Sequence, residues 1–124
     1  MSSTERRRMA VDRFIREAPE SVTVRQPPSV PAYQADNADE SSFVATARVD
    51  AITVNDVNEL QPSMLGEHPV GQLGWLVTFY HNVVQLPKRD CAISFTRNGH
   101  VLKLRAVVVS PYDWSVEVRC RESE

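Results

Sequence analysis

Glycine is scarce in this chain, with four in 124 residues. Neither G-x-x-x-x-G-K-[ST] nor G-x-G-x-x-G occurs, so the glycine-rich loops that cradle nucleotide phosphates are missing. A G-x-S-x-G nucleophile elbow is missing too. Cysteine is scarcer still. Cys91 and Cys120 stand alone in separate alternating segments, which excludes a disulfide scaffold and leaves two reduced thiols on core-facing positions. His68, His81 and His100 are isolated, and none stands at metal-ligand spacing from a cysteine. Long apolar runs are absent: Val107 to Val109 and Trp75 to Val77 fall far short of the roughly 20 residues that span a bilayer. The start, Met1-Ser2-Ser3-Thr4-Glu5-Arg6-Arg7-Arg8, lacks the apolar stretch of a signal peptide. The expectation is a single domain over residues 1–124 with no membrane contact, no catalytic residue, no metal and no cofactor. A chain of this size buries about two-thirds of its unfolded surface, enough for a core without staples.

Charge of one sign is not in excess overall, since 14 basic residues face 16 acidic ones, a net of −2. Along the chain the balance is uneven: residues 1–33 carry +2, residues 34–67 carry −6, and residues 68–124 carry +2. Arg6-Arg7-Arg8 is the one basic cluster in sequence, which argues against stable DNA binding by the isolated chain. Asp36, Asp39 and Glu40 form the dense acidic cluster. They sit in a polar, Pro-rich stretch with no apolar surroundings to raise a carboxyl pKa, so they read as solvated charge rather than an acid–base pair.

The patterning that is present is mostly of period two. Val11, Phe14, Ile15 and Ala18 make a helical stripe, and Pro19 closes a helix over residues 1–18. Ser21 to Arg25 alternates as a short strand. A long loop over 26–41 follows, rich in proline and acid. Phe43, Ala45, Ala47, Val49 and Ala51 then share one strand face and Ile52 and Val54 the other, which predicts a bulge near Ala51. A second long loop over 55–71 leads to a strand-like stretch from Leu73 to Val84.

Asn98-Gly99 is the preferred pair for a type I′ hairpin turn. With those two at the tip, Phe95 faces Leu102, Ile93 faces Leu104 and Cys91 faces Ala106, all on one side. The other side carries Ser94 and Ala92 against Lys103 and Arg105, a solvated or subunit-contacting surface. Ser110-Pro111-Tyr112-Asp113 makes another turn, with Tyr112 exposed, and Trp114, Val116, Val118 and Cys120 begin a last strand that also carries Arg119 and Arg121. The fold expected is mainly β: a small antiparallel barrel or sandwich of five to six strands with one short N-terminal helix and long acidic, Pro-rich loops.

The order of these elements resembles the head-closure proteins (stoppers, or head-tail connectors) of tailed bacteriophages and related gene-transfer particles. The resemblance is carried by the helix and strand over Asp12-Arg13-Phe14-Ile15-Arg16-Glu17-Ala18-Pro19-Glu20-Ser21-Val22-Thr23-Val24-Arg25 and by Leu86-Pro87-Lys88-Arg89-Asp90 before the Asn-Gly hairpin. Val101-Leu102-Lys103-Leu104-Arg105-Ala106-Val107-Val108-Val109-Ser110-Pro111 and a closing strand complete it. It implies a homo-oligomeric ring in the virion neck, assembled in the bacterial host cytoplasm, that sits between portal or adaptor and tail. Its partners would be its own copies, portal or adaptor proteins and tail proteins, with packaged DNA as a transient, non-specific neighbour. On that reading Asp36, Asp39 and Glu40 are channel-lining candidates, since like charge lets DNA slide. Tyr112, Lys103, Arg105, Arg119 and Arg121 are interface candidates. The competing expectation is a small cytosolic β-barrel adaptor or regulatory protein that binds other proteins.

Overall fold

The computed structural model of the chain describes residues 2–27, 41–52 and 74–123. Helix α1 (Ser3–Glu17) precedes strands β1 (Glu20–Gln26), β2 (Ser41–Ile52), β3 (Gly74–Tyr80), β4 (Ala92–Arg97), β5 (His100–Pro111) and β6 (Ser115–Glu122). The six strands close as β1-β2-β3-β6-β5-β4 with every pair antiparallel, which makes the fold a barrel rather than a sandwich.

The barrel is filled by alternate residues of every strand. Val22 and Val24, Ala47 and Val49, Val77 and Phe79, Ile93 and Phe95, Leu104 and Ala106, and Val116, Val118 and Cys120 form one buried cluster, with Cys91 beside them. Each fully buried Val, Leu, Ile or Phe contributes about 1.5–3 kcal/mol relative to exposure. The Asn-Gly hairpin has the expected geometry, with φ of 54° at Asn98 and 80° at Gly99. Its register pairs Phe95 with Leu102 and Ile93 with Leu104. The Ala106 N–H donates to the Cys91 carbonyl at 3.0 Å, which sets those two residues opposite each other as expected.

Four expectations change. The bulge lies in β5 between Ala106 and Val108, and β2 pairs with β3 without a break from Ala47 to Ile52. Ile52 is an apolar residue on the outer side of a regular strand, and Ala51 is exposed where the interior runs out. Strand β3 stops at Tyr80, because a turn at His81 and Asn82 follows it in place of strand to Val84. Pro111 ends β5 and Trp114 stays in the turn, which closes when the Tyr112 N–H donates to the Ser115 carbonyl at 2.7 Å. Gln26 and Ser41, expected in a loop, pair with each other at the ends of their strands. The loop over 55–71 lies outside the described residues.

Helix α1 starts at Ser2, whose side chain accepts from the Glu5 N–H at 3.1 Å, and carries acid in its first turn and Arg16 in its last. It packs on the outside of β2 and β3. That position explains why its stripe is only partly used: Ile15 is fully buried, whereas Phe14 and the C-cap Ala18 are exposed. Arginines fasten both ends. Arg8 Nε donates to the Asp113 carbonyl at 2.7 Å and Arg7 lies 4.4 Å over the Trp114 ring. Arg48 on β2 donates to the Phe14 carbonyl at 2.9 Å and lies 3.8 Å over the Phe14 ring.

Barrel closure depends on a short seam, in which β1 and β4 pair only at Thr23–Ser94, Val24–Ile93 and Arg25–Ala92. Beyond it the strands part around a cleft of about 650 Å³ bordered by Glu20, Ser21, Phe95 and Thr96. Arg97 spans this gap, bonding both Glu20 carboxylate oxygens and donating to the Val49 carbonyl at 3.0 Å. The Glu20 hydrogen bond in turn raises the Arg97 pKa.

A row across the barrel wall

Followed at right angles to the strands, the pairing runs from Ser42 to Arg25, Ala92, Arg105 and Arg121. The β6–β3 register then places Gly74 beside Arg121, and Gly74 pairs with Ile52. One circuit therefore returns to β2 ten residues beyond its start, the stagger that a tilted, closed barrel requires. Side chains in this row alternate with the buried set and point outward. Arg25, Arg105 and Arg121 share the row, and Lys103 stands two residues along β5 on the same side.

An open groove of about 660 Å³ on this side is lined by Arg25, Lys103 and Arg105 with the hydroxyl-bearing Thr23, Ser41, Ser42, Ser94 and Ser123. Lys103, Arg105, Arg25 and Arg121 are all exposed. Among the described residues, no acidic side chain lines the groove. Arg105 and Arg121 are direct cross-strand partners. Arg105 donates to the Asp90 carbonyl at 3.3 Å, and Arg25, Arg119 and Arg121 each hold interactions of their own. The guanidinium, ammonium and hydroxyl donors on this side are of a kind suited to gripping oxyanions, either carboxylate or phosphate.

Of the interface candidates, Lys103, Arg105 and Arg121 stand on this one side of the wall. Arg119 lies two residues before Arg121 on β6, half-buried opposite Leu76. Tyr112 is elsewhere, in the β5–β6 turn, 42% exposed and stacked on Trp114 with ring centroids 5.1 Å apart. The Arg7, Trp114 and Tyr112 side chains form one layered stack there. Asp36, Asp39 and Glu40 lie outside the described residues. Arg25 escaped the sequence reading, because only the closure of β1 against β4 places it beside Ala92 and Arg105.

The two cysteines are buried, and burial pushes the Cys91 thiol up to about 11 and the Cys120 thiol up as well. Among the described residues no three His, Cys, Asp or Glu side chains converge as metal ligands, and no described helix is long and apolar enough to cross a membrane. Compared with known proteins, the chain matches no family model, no curated protein and no solved structure.

Proposed function

We propose that the chain is a structural subunit of a tailed-phage or phage-like neck. It forms a ring between portal or adaptor and tail that closes the head, retains packaged DNA and offers a surface for tail attachment. The observation that carries this reading is the split of charge between parts of one small barrel. The described residues hold all fourteen Lys and Arg but nine acids, with several cations on one exposed wall. Residues 28–40 and 53–73 hold three acids each and no Lys or Arg. A unit with a basic wall and acidic connections is complementary to further copies of itself, and repeated around an axis Asp36, Asp39 and Glu40 give a channel that repels phosphate. The order of elements, from the helix through the Asn-Gly hairpin to the last charged strand, supports the same reading.

Native mass measurement and negative-stain imaging of the purified chain, alone and mixed with portal or adaptor rings, test it. Closed rings, or stacking onto a partner ring, are expected. A chain that stays monomeric under all these conditions refutes the neck role. The exposed Tyr112 on its Trp114 and Arg7 stack favours a second reading, an adaptor domain that seats a partner protein on that turn. A stoichiometric complex without ring formation is the result that selects it.

A further inference from the structure

We infer that the edge of β2 over residues 41–46 pairs antiparallel with the same edge of a second copy of this chain. Strand β2 is longer than either neighbour. β1 pairs with residues 41–47 along one edge of it, and β3 with residues 47–52 along the other. Strand β3 stops at Tyr80, where the Val83 N–H donates to the Tyr80 carbonyl at 3.1 Å and closes a turn. Among the described residues, no strand takes the place beside residues 41–46 that β3 leaves. An open groove of about 280 Å³ lies there, between Val44, Ala45 and Thr46 of β2 and Asn82, Val83 and Val84 after β3. Its walls carry bare apolar side chains: Val44 is 64% exposed and Val84 73%, and Leu86, two residues on, is exposed as well.

Overhanging strands ordinarily carry a guard against pairing with other chains, such as a charge, a proline or a covering element. Two other overhangs of this barrel have one. Beyond the reach of β1, Arg48 ties β2 to α1 and the Val49 carbonyl accepts from Arg97. Beyond its pairing with β4, strand β5 ends on Pro111. The stretch Ser41-Ser42-Phe43-Val44-Ala45-Thr46 has no charge, no proline and no glycine, the composition of an edge that is paired in use.

The register selects a second copy over an unrelated strand. A two-fold axis at Val44 sets Val44 opposite Val44 of the second copy and Ser42 opposite Thr46, an apolar pair between two hydroxyl pairs. On the inner side Phe43 meets Ala45, large against small, and both already pack against the barrel core. No charge meets its like. Both copies offer the same surface, so the contact is isologous and closes on itself as a pair. It is separate from the head-to-tail contact that a ring requires, and it joins subunits, or whole rings, two by two.

Sedimentation velocity and native mass of the full chain, over a range of concentration and at low and high salt, read the pairing. The unaltered chain is expected to form pairs that persist at high salt, because backbone bonds and valine contacts are not screened as charges are. Val44→Lys sets two ammonium groups opposite each other and is expected to weaken pairing by about tenfold or more, and Val44→Glu likewise. Mixing those two variants is expected to restore it as a mixed pair. Val44→Cys is expected to cross-link two copies through residue 44 under oxidised glutathione; Val101→Cys, similarly exposed on β5, is the control that does not. Circular dichroism and thermal melts establish that each variant, altered at an exposed side chain, keeps its fold. A chain still monomeric at about 1 mM, or pairing unchanged in both Val44→Lys and Val44→Glu, overturns the inference. So does cross-linking of Val44→Cys no faster than that of Val101→Cys. A mixture of the lysine and glutamate variants that stays unpaired assigns the edge to a different occupant and overturns it too.

Discussion

Arg97→Ala is the substitution that best exposes how this barrel is closed. Backbone pairing between β1 and β4 ends at Thr23 and Ser94, and from there to the hairpin end one guanidinium bridges the gap. Its side chain is 37% exposed and that of Glu20 is 20% exposed, so the pair lies between a surface bridge and a buried one. We assign the pair about 1–1.5 kcal/mol, more than an exposed bridge and far less than a buried pair that loses one partner. The Val49 carbonyl loses its 3.0 Å donor, about 1 kcal/mol. Contacts to the Phe95 and Trp75 rings at 5.3 and 5.9 Å contribute about 0.5 kcal/mol. Together the loss is about 2.5–3 kcal/mol. For a chain of this length that is a fall in Tm on the order of 8–15 °C, read by calorimetry and urea unfolding. Arg97→Lys recovers only part of it, because one ammonium cannot serve both carboxylate oxygens and the carbonyl. Hydrogen exchange at Glu20–Val22 and Phe95–Arg97 speeds first, since local opening of the seam comes before global unfolding. A loss below about 0.5 kcal/mol, or additive effects of Arg97→Ala and Glu20→Ala in a double-mutant cycle, refutes the argument.

Other perturbations probe the rest of the fold. Gly99→Ala meets no atom within 4 Å but must hold φ near 80°, so it costs about 1 kcal/mol in urea unfolding through backbone strain alone. Ile15→Ala removes the fully buried side chain of α1 and loses about 2–4 kcal/mol; protease cleavage within residues 3–17 accelerates while the barrel strands stay protected. Both thiols resist aromatic disulfide reagents in the folded chain and react on unfolding. Because Cys91 is raised from 9.0 to about 11, the unfolded thiol ionises first as pH rises. Stability is therefore whole below pH 9 and declines from there to about 11, a slope that Cys91→Ala reduces. Phe79→Ala, at the centre of the barrel, costs about 3–5 kcal/mol.

What could be read without coordinates was whatever short-range chemistry decides. Asn98-Gly99 needs positive φ at both positions, and its two flanking strands alternate in phase with that turn, so Phe95–Leu102 and Ile93–Leu104 followed from local information. The core placement of Cys91 and Cys120 came from the same alternation. Closure was not legible in this way. Arg25 and Ala92 are joined only when the sheet wraps round, and no local pattern distinguishes that pairing from an open sandwich edge. Phe14 belongs to a sound helical stripe, yet Arg48 from β2 takes its ring face and leaves it at the surface. Ile52 imitated a phase change because an apolar residue on the outer wall looks, in sequence, like a shifted inner face.

The same stagger that closes the barrel also converts a charge pattern along the chain into one in space. Ser42 follows the first acidic segment within two residues, and Ile52 immediately precedes the second. Since one circuit of the wall carries β2 from Ser42 to Ile52, both segments attach at the two ends of a single row that holds Arg25, Arg105 and Arg121 between them. A different stagger would separate the arginines from one acidic segment or the other while leaving the net charge of −2 unchanged. Composition sets the net charge, whereas topology sets where the arginines stand relative to the two ends of β2. Cations on rigid strands hold fixed positions along the row. A ring held by charge complementarity between this wall and acidic segments weakens as salt screens it, and one that instead tightens with salt is held by apolar contacts elsewhere.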